Sequence, residues 1–471
     1  MKKLNFLALS IFIIACAGCK EDFVPKMENE MQHSQRIMSS NETKYTVSLD
    51  SALAELDKVL EYADLQKGHS HSDIKSVSSV STDVLNQYWK TIPDIDLPEN
   101  IYYLVNYGEE NGFAILTADK RAGEIVLAIT EKGTISPKDF ELILGNYSYI
   151  DYYQQPLQDE FGNTFVWDST YNVYQYLQNG MQIITSNVMQ YTCLTFFRYE
   201  PIYEFDIHYG KDWFDYIKKF PLVFVKWGQN APYNNECYTF FGHKKAVAGC
   251  VPIAVIQMFS AHEKPTKIGN LSGNWQQIKT YKDLYYHQNE PYVPTVAKWV
   301  NTIGKKCTIW YGEEESSSNM EGARRTIATY DEYYDVHKIN KYDEVKLLEH
   351  LNANKPVVYG SSRKDKNNKT HGHAWVIDGY LKQYRVDTIM NPLYGSVPQT
   401  SSTYRTLVHC NFGYEGSYDG YYLSALWKYE YDKLFDMTDG PIQTEPDAGD
   451  SWGTVDREYC FDNEMITYKM K

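Results

Sequence analysis

The stretch Ala248-Gly249-Cys250-Val251-Pro252-Ile253-Ala254-Val255-Ile256-Gln257-Met258 decides how the C-terminal half is read. Pro252 suits the first turn of a helix, where its missing N–H costs nothing. Apolar residues continue at helical spacing, so the segment predicts a buried helix that begins at Cys250. Gly249 permits a tight backbone approach just before it. Free N–H groups and the helix dipole at such a terminus favour a thiolate, and the N–H of Cys250 is itself a candidate oxyanion donor. A lone cysteine in an apolar helix is more often a small core residue. The segment therefore needs partners before it carries chemistry.

Three other segments supply them. In Val225-Lys226-Trp227-Gly228-Gln229-Asn230-Ala231-Pro232-Tyr233-Asn234, the side-chain amide of Gln229 can donate to a developing oxyanion. In His371-Gly372-His373-Ala374-Trp375-Val376-Ile377-Asp378-Gly379-Tyr380, His373 heads an apolar strand, a position that holds an imidazole rigidly at a cleft edge. Two ordinary loop histidines or a weak metal site are the alternatives there. With no carboxylate or cysteine at ligand spacing, no metal is implied. In His409-Cys410-Asn411-Phe412-Gly413-Tyr414-Glu415-Gly416, the Asn411 carbonyl is expected to accept from the far ring nitrogen of His373 and fix its tautomer. Asn411 alone would read as a turn residue before Gly413.

The order Gln, Cys, His, Asn is that of papain-like peptidases. The motifs resemble the streptopain family, whose hallmarks are Trp-Gly-Gln-x-x-Pro-Tyr-Asn, Gly-Cys-Val, Gly-His-Ala-x-Val-x-Asp-Gly and Asn-Trp-Gly-Trp-x-Gly. Gln229, Cys250, His373 and Asn411 match residue by residue. The likeness runs from about Trp227 to Tyr459-Cys460-Phe461-Asp462-Asn463-Glu464-Met465-Ile466, similar to the family's closing strand. The resemblance implies an α+β fold: a papain-like two-lobed catalytic domain, one lobe helical and one antiparallel β, preceded by a small α+β prodomain. It also implies hydrolysis of protein or peptide substrates through a Cys250 acyl-enzyme, with His373 as base and no metal or organic cofactor. Phe412 and Tyr414 replace the family's two tryptophans, Glu415 replaces a small residue, and Pro252 is atypical. Phe412 is expected to shield the His373–Asn411 bond from water with less area than an indole. These departures bear on catalytic efficiency. They leave a second reading open, an impaired surface lipoprotein that acts as a binding protein or protease inhibitor.

Ahead of this region, Ser48 opens a helical pattern carried by Leu49, Ala52, Leu53, Leu56, Val59 and Leu60. Residues 68 to 82 read as a loop. Strands are expected at Ile101–Val105, Phe113–Leu116 and Ile125–Ile129, with a turn at Glu109-Glu110-Asn111-Gly112. The stretch from Tyr102 to Tyr107, and then Gly112 to Arg121, resembles the inhibitory prodomain of streptopain-type peptidases. The expected divisions are residues 45–175 as prodomain, 176–215 as activation linker and 216–471 as catalytic domain. The aromatic-rich stretch of about 150 to 215 offers no clean boundary.

The N-terminus reads as an export signal: Lys2 and Lys3, an apolar run from Leu4 to Ala17, then Cys16-Ala17-Gly18-Cys19. Small residues before Cys19 resemble the lipobox of bacterial lipoproteins, so residues 1–18 are expected to be removed and Cys19 acylated. A plain secretory signal with a nearby cysteine is the alternative. Lys20-Glu21-Asp22 resembles the surface-export signal of lipoproteins in one Gram-negative phylum, which implies an outer-membrane, surface location. Residues 19–44 read as a polar tether. Once Cys16 leaves and Cys19 is lipidated, six of the eight cysteines remain, none at C-x-x-C spacing. If one is a nucleophile, the odd remainder argues against a complete disulfide framework. The net charge of −15 and scattered basic residues disfavour a nucleic-acid partner. The 42 tyrosines favour half-buried sheet.

Overall fold

The computed structural model describes residues 46–81, 98–108, 111–118, 124–137, 212–241, 244–313, 315–364, 370–390, 399–424 and 461–471, with the backbone of short strands between 157 and 208. The leader, Cys19, the tether, the Asp119–Arg121 corner and half of the 176–215 linker lie outside the described residues.

Helix α1 (Leu49–Ala63) starts where the sequence places it. The Ser48 hydroxyl accepts from the N–H of Ser51 at 3.3 Å, and Asp64 closes the helix in the left-handed conformation. Its buried face, Ala52, Leu56, Val59 and Leu60, lies on strands β2 (Asn100–Tyr107), β3 (Phe113–Thr117) and β4 (Val126–Thr130). Tyr103, Val105 and Tyr107 alternate along β2 toward the helix. Each such buried side chain contributes roughly 1.5–3 kcal/mol. The 68–82 loop expectation is corrected. Ile74–Ser81 is strand β1, paired to β2 at the edge of the sheet. Its side chains are mostly exposed and two register shifts break its alternation, so no apolar periodicity betrays it.

The C-terminal region builds the remaining layers. Helices α2 (Cys250–His262), α3 (Val293–Lys306) and α4 (Met320–Ala328) share a core with the sheet, formed among others by Trp227, Ile253, Phe259, Trp299, Val358 and Val376. The long strand β8 (Thr370–Met390) pairs antiparallel with β7 (Val357–Lys364) on one side and β9 (Gln399–Asn411) on the other. Strand β5 (Phe214–Lys219) also adds to β8. Beyond β7 lie β11 (Phe461–Ile466) and β6 (Ile339–Lys341); beyond β9 lies β10 (Gly420–Leu423).

The fold is α+β, as expected, but the two regions are not separate sheets. Strand β4 pairs with β10, so one antiparallel sheet runs β1-β2-β3-β4-β10-β9-β8-β7-β11-β6. Leu381, Leu407 and Tyr421 of the C-terminal region complete the core beneath α1. The junction is tight at Gly420, where a Cβ would lie 2.2 Å from the Ile129 carbonyl oxygen. Its φ of 158° is one that L side chains rarely adopt. Gly420→Ala is therefore expected to cost about 2 kcal/mol or more, through lost β4–β10 pairing. A thermal unfolding midpoint equal to that of the parent chain would count against this junction.

Candidate active site

Three segments converge on Cys250. The Ala248 N–H donates to the Gln229 carbonyl at 2.8 Å, and the Trp227 N–H donates to Gln257 Oε1 of α2 at 3.0 Å. The Trp227–Gln229 strip is thus fastened to both ends of the Cys250 segment. Gly249 sits at the helix N-cap with φ 89°, and a Cβ there would meet Ile309 Cδ1 at 2.3 Å. Only glycine delivers the chain to Cys250 along this path. Residues Val251 to Ser260 are buried, whereas Cys250 is partly exposed. Gln229 is half-exposed, and no hydrogen bond engages its side chain among the described residues. Its amide is therefore available to a substrate oxygen.

Strand β8 brings the base. The Ala374 N–H acts on the Cys250 thiol, and His373 is the residue before it on β8. His373 is buried, and its Nε2 lies 3.1 Å from the Phe412 carbonyl oxygen. A carbonyl only accepts, so Nε2 carries the proton and Nδ1 is the basic nitrogen. The Tyr414 hydroxyl lies 3.3 Å from Nδ1, with its ring parallel to the imidazole at 5° and 4.9 Å between centroids. With Nδ1 unprotonated, the phenol donates to it and caps the base.

Asn411 does not take the expected role. Its Nδ2 donates to the Val225 carbonyl at 2.8 Å, and its Oδ1 accepts from the Gly413 N–H at 3.3 Å. The side chain ties the His373-bearing loop to the Gln229 strip and leaves tautomer selection to the Phe412 carbonyl. The register explains this: Asn411 pairs with Val376, three residues beyond His373. The Phe412 ring still covers the imidazole, at 6.2 Å between centroids, but the bond it shields is the one to its own carbonyl. Sequence reasoning also missed Asp419, whose Oδ1 accepts from the Phe412 N–H at 2.9 Å and so orients that peptide. An aspartate before a glycine gives only a turn signal. Glu415, the other departure, is half-buried against Gly228, beside Gln229.

Burial governs the titration of the pair. It pushes the Cys250 thiol up to about 11, against the pull of the Ala374 N–H. It pushes His373 down to about 4, against the Phe412 carbonyl. Burial thus favours the neutral thiol and the neutral imidazole over the thiolate that the helix dipole alone would favour. Cys237, Cys307 and Cys410 are free and buried, so the described cysteines form no disulfide.

A thiol at a helix start and a buried imidazole with a fixed tautomer are the two groups that Cys–His acyl transfer uses, which makes Cys250 and His373 the candidate pair. Residues 227–422 match the model of the Peptidase C10 family. Among solved structures, the active cysteine protease interpain A of Prevotella intermedia is similar over 44% of this chain and 85% of its own, at 20% identity and a TM-score of 0.33. A prointerpain A fragment from the same organism is similar over 79% of this chain and 96% of its own, at 17% identity and a TM-score of 0.41. No curated protein sequence matches.

The neutral pair has a measurable signature. In the full-length chain, iodoacetamide alkylation of Cys250 is expected to rise about tenfold per pH unit between pH 7 and 9 without levelling off. Tyr414→Phe uncaps Nδ1 and is expected to raise the rate at neutral pH. Mass spectrometry of the Cys250 peptide reads both. A wild-type rate already level below pH 7 would instead reveal a resting thiolate–imidazolium pair.

Proposed function

We propose that the chain is an exported cysteine endopeptidase, lipid-anchored at Cys19 to the outer membrane and made as a zymogen held by its N-terminal region. The observation that carries the peptidase reading is the Cys250 thiol at the start of a buried helix, acted on by the N–H of Ala374, which directly follows His373, whose Nε2 is held by the Phe412 carbonyl. Once Tyr414 yields, Nδ1 takes the Cys250 proton and the sulfur attacks a peptide carbonyl. The Gln229 amide and the Cys250 N–H hold the oxyanion. His373 then gives its Nδ1 proton to the leaving amine, and water hydrolyses the thioester. Asn411 keeps the Phe412 carbonyl and the Gln229 strip in mutual register. The sheet shared through β4 and β10 supports the zymogen reading, because the N-terminal region covers apolar surface of the catalytic region. The Tyr414 cap favours the second reading, an impaired binding lipoprotein or inhibitor, if it never opens.

Incubating the leaderless chain under reducing conditions and sequencing new N-termini separates the two. Cys250→Ala is expected to abolish self-processing and peptide hydrolysis, and His373→Ala nearly so. Gln229→Ala removes one of two oxyanion donors and is expected to cost about a hundredfold in rate. Asn411→Ala is expected to fall between the His373 and Gln229 variants, and Phe412→Trp to raise the rate or leave it unchanged. Hydrolysis persisting in Cys250→Ala, with the fold intact by circular dichroism, would falsify the peptidase reading.

The anchor has its own test. Cys19→Ala is expected to block acylation and leave the protein soluble or with its leader uncleaved, as read by detergent-phase partitioning and N-terminal sequencing. Unchanged partitioning of this variant with its leader removed rules the anchor out.

A further inference from the structure

Where β4 meets β10, a cluster of charge lies buried that the proposed chemistry does not use. Just past β4, the Glu131 N–H donates to the Asp419 carbonyl at 2.7 Å, and the Tyr418 N–H donates to the Lys132 carbonyl at 3.1 Å. The strand pairing therefore delivers Glu131 inward. Its carboxylate meets two groups of the C-terminal region. Oε2 contacts the Lys226 ammonium, and Oε1 lies 3.1 Å from His409 Nε2. The other ring nitrogen, Nδ1, lies 2.6 Å from Asp378 Oδ1.

Both nitrogens of His409 thus face carboxylate oxygens, which only accept. With both carboxyl groups ionised, each nitrogen carries a proton and His409 is an imidazolium. Asp378 is spoken for twice, since its Oδ2 accepts from the Val223 N–H at 2.8 Å. Asp419 uses Oδ1 on the Phe412 N–H. The His409 side chain is 3% exposed and that of Asp378 fully buried, so this is no solvated surface pair. The Tyr421 ring closes the side next to His409, 5.1 Å away between centroids. The directions of titration agree. Burial works against the charges of His409 and Glu131, yet Asp378 and Glu131 hold His409 up, while His409 and Lys226 hold Glu131 well below the ordinary carboxylate range.

We propose that the catalytic region carries a built carboxylate-binding site, formed by Lys226 and the His409 imidazolium beside the β10 edge. Its ligand is an extended peptide segment that pairs with β10 and presents an acidic side chain one residue past the paired strand. In this chain Glu131 is that ligand. The two halves of the signal are separable: β10 reads backbone, and the cation pair reads the side chain. The site borders catalytic parts on both sides, because Lys226 precedes Trp227 and Asp419 holds the Phe412 peptide. The inference stands whether or not Cys250 performs hydrolysis.

The test uses the full-length chain with Cys250→Ala, so that self-processing cannot intervene. Hydrogen–deuterium exchange is followed in peptides covering residues 126–131 and 420–423, with α2 amides as internal reference. Glu131→Gln keeps the shape and removes the charge. It is expected to speed exchange in both strands about tenfold or more and to leave α2 unchanged. Glu131→Ala is expected to do the same, and sodium formate, the free probe, to restore protection where sodium chloride at equal ionic strength does not. If Glu131→Ala loosens α2 as well, Glu131→Gln decides alone. Exchange in Glu131→Gln equal to that of the parent, or chloride restoring as much protection as formate, overturns the proposal.

Discussion

The arrangement depends on the antiparallel register between β8 and β9. Val376 opposite Asn411 sets the end of β9 alongside the start of the apolar part of β8. That pairing brings the Phe412 carbonyl to His373 and, through the loop that follows, Tyr414 to the other ring nitrogen. On its other side β8 pairs with β7, where Ser361 lies opposite His373 and Gly360 opposite Ala374. Helix α2 packs on the same strand and presents the Cys250 thiol to the Ala374 N–H. A one-residue slip would turn every side chain of β8 to the opposite face and part the thiol from the imidazole. Burial on both faces, by the helical core and by the core under α1, is what fixes that register.

Two electrostatic settings lie close together in the same sheet. At Cys250 and His373, burial outweighs the backbone dipoles and favours the uncharged forms, and Glu315 adds to the push on the thiol. At His409, burial meets full opposite charges, and the ionised forms win. The difference is one of magnitude. A backbone N–H or carbonyl offsets part of a desolvation penalty, whereas paired carboxylates at hydrogen-bond distance exceed it. The first setting favours a neutral thiol and a neutral imidazole. The second holds a structural clamp across the β4–β10 junction. Asp419 touches both, since it orients the Phe412 peptide and lies within the field of Lys226, while burial lifts it to about 6.

The elements with a local signature were legible in the sequence. Ser48 and the helical spacing after it gave α1, the apolar runs gave β2, β3 and β4, and Gly249, Cys250 and Pro252 gave the start of α2. Cys250 and His373 stood out as candidates through residue type and chain order. Strand β1 was not, because an exposed edge strand is held by backbone pairing with β2 rather than by an apolar face.

What tertiary structure alone decided were the partners. Asn411 was assigned to the imidazole by residue type, but the register offered its amide the Val225 carbonyl and left the Phe412 carbonyl to hold His373. A backbone carbonyl has no sequence signature. Tyr414 read as a lost tryptophan, and only the folded loop lays its hydroxyl on Nδ1. Glu131, Lys226, Asp378, His409 and Asp419 are scattered over almost 300 residues and look like ordinary surface charges one by one. Their meaning comes from being buried together, and burial at long range is set by strand pairing that no local stretch of the chain encodes.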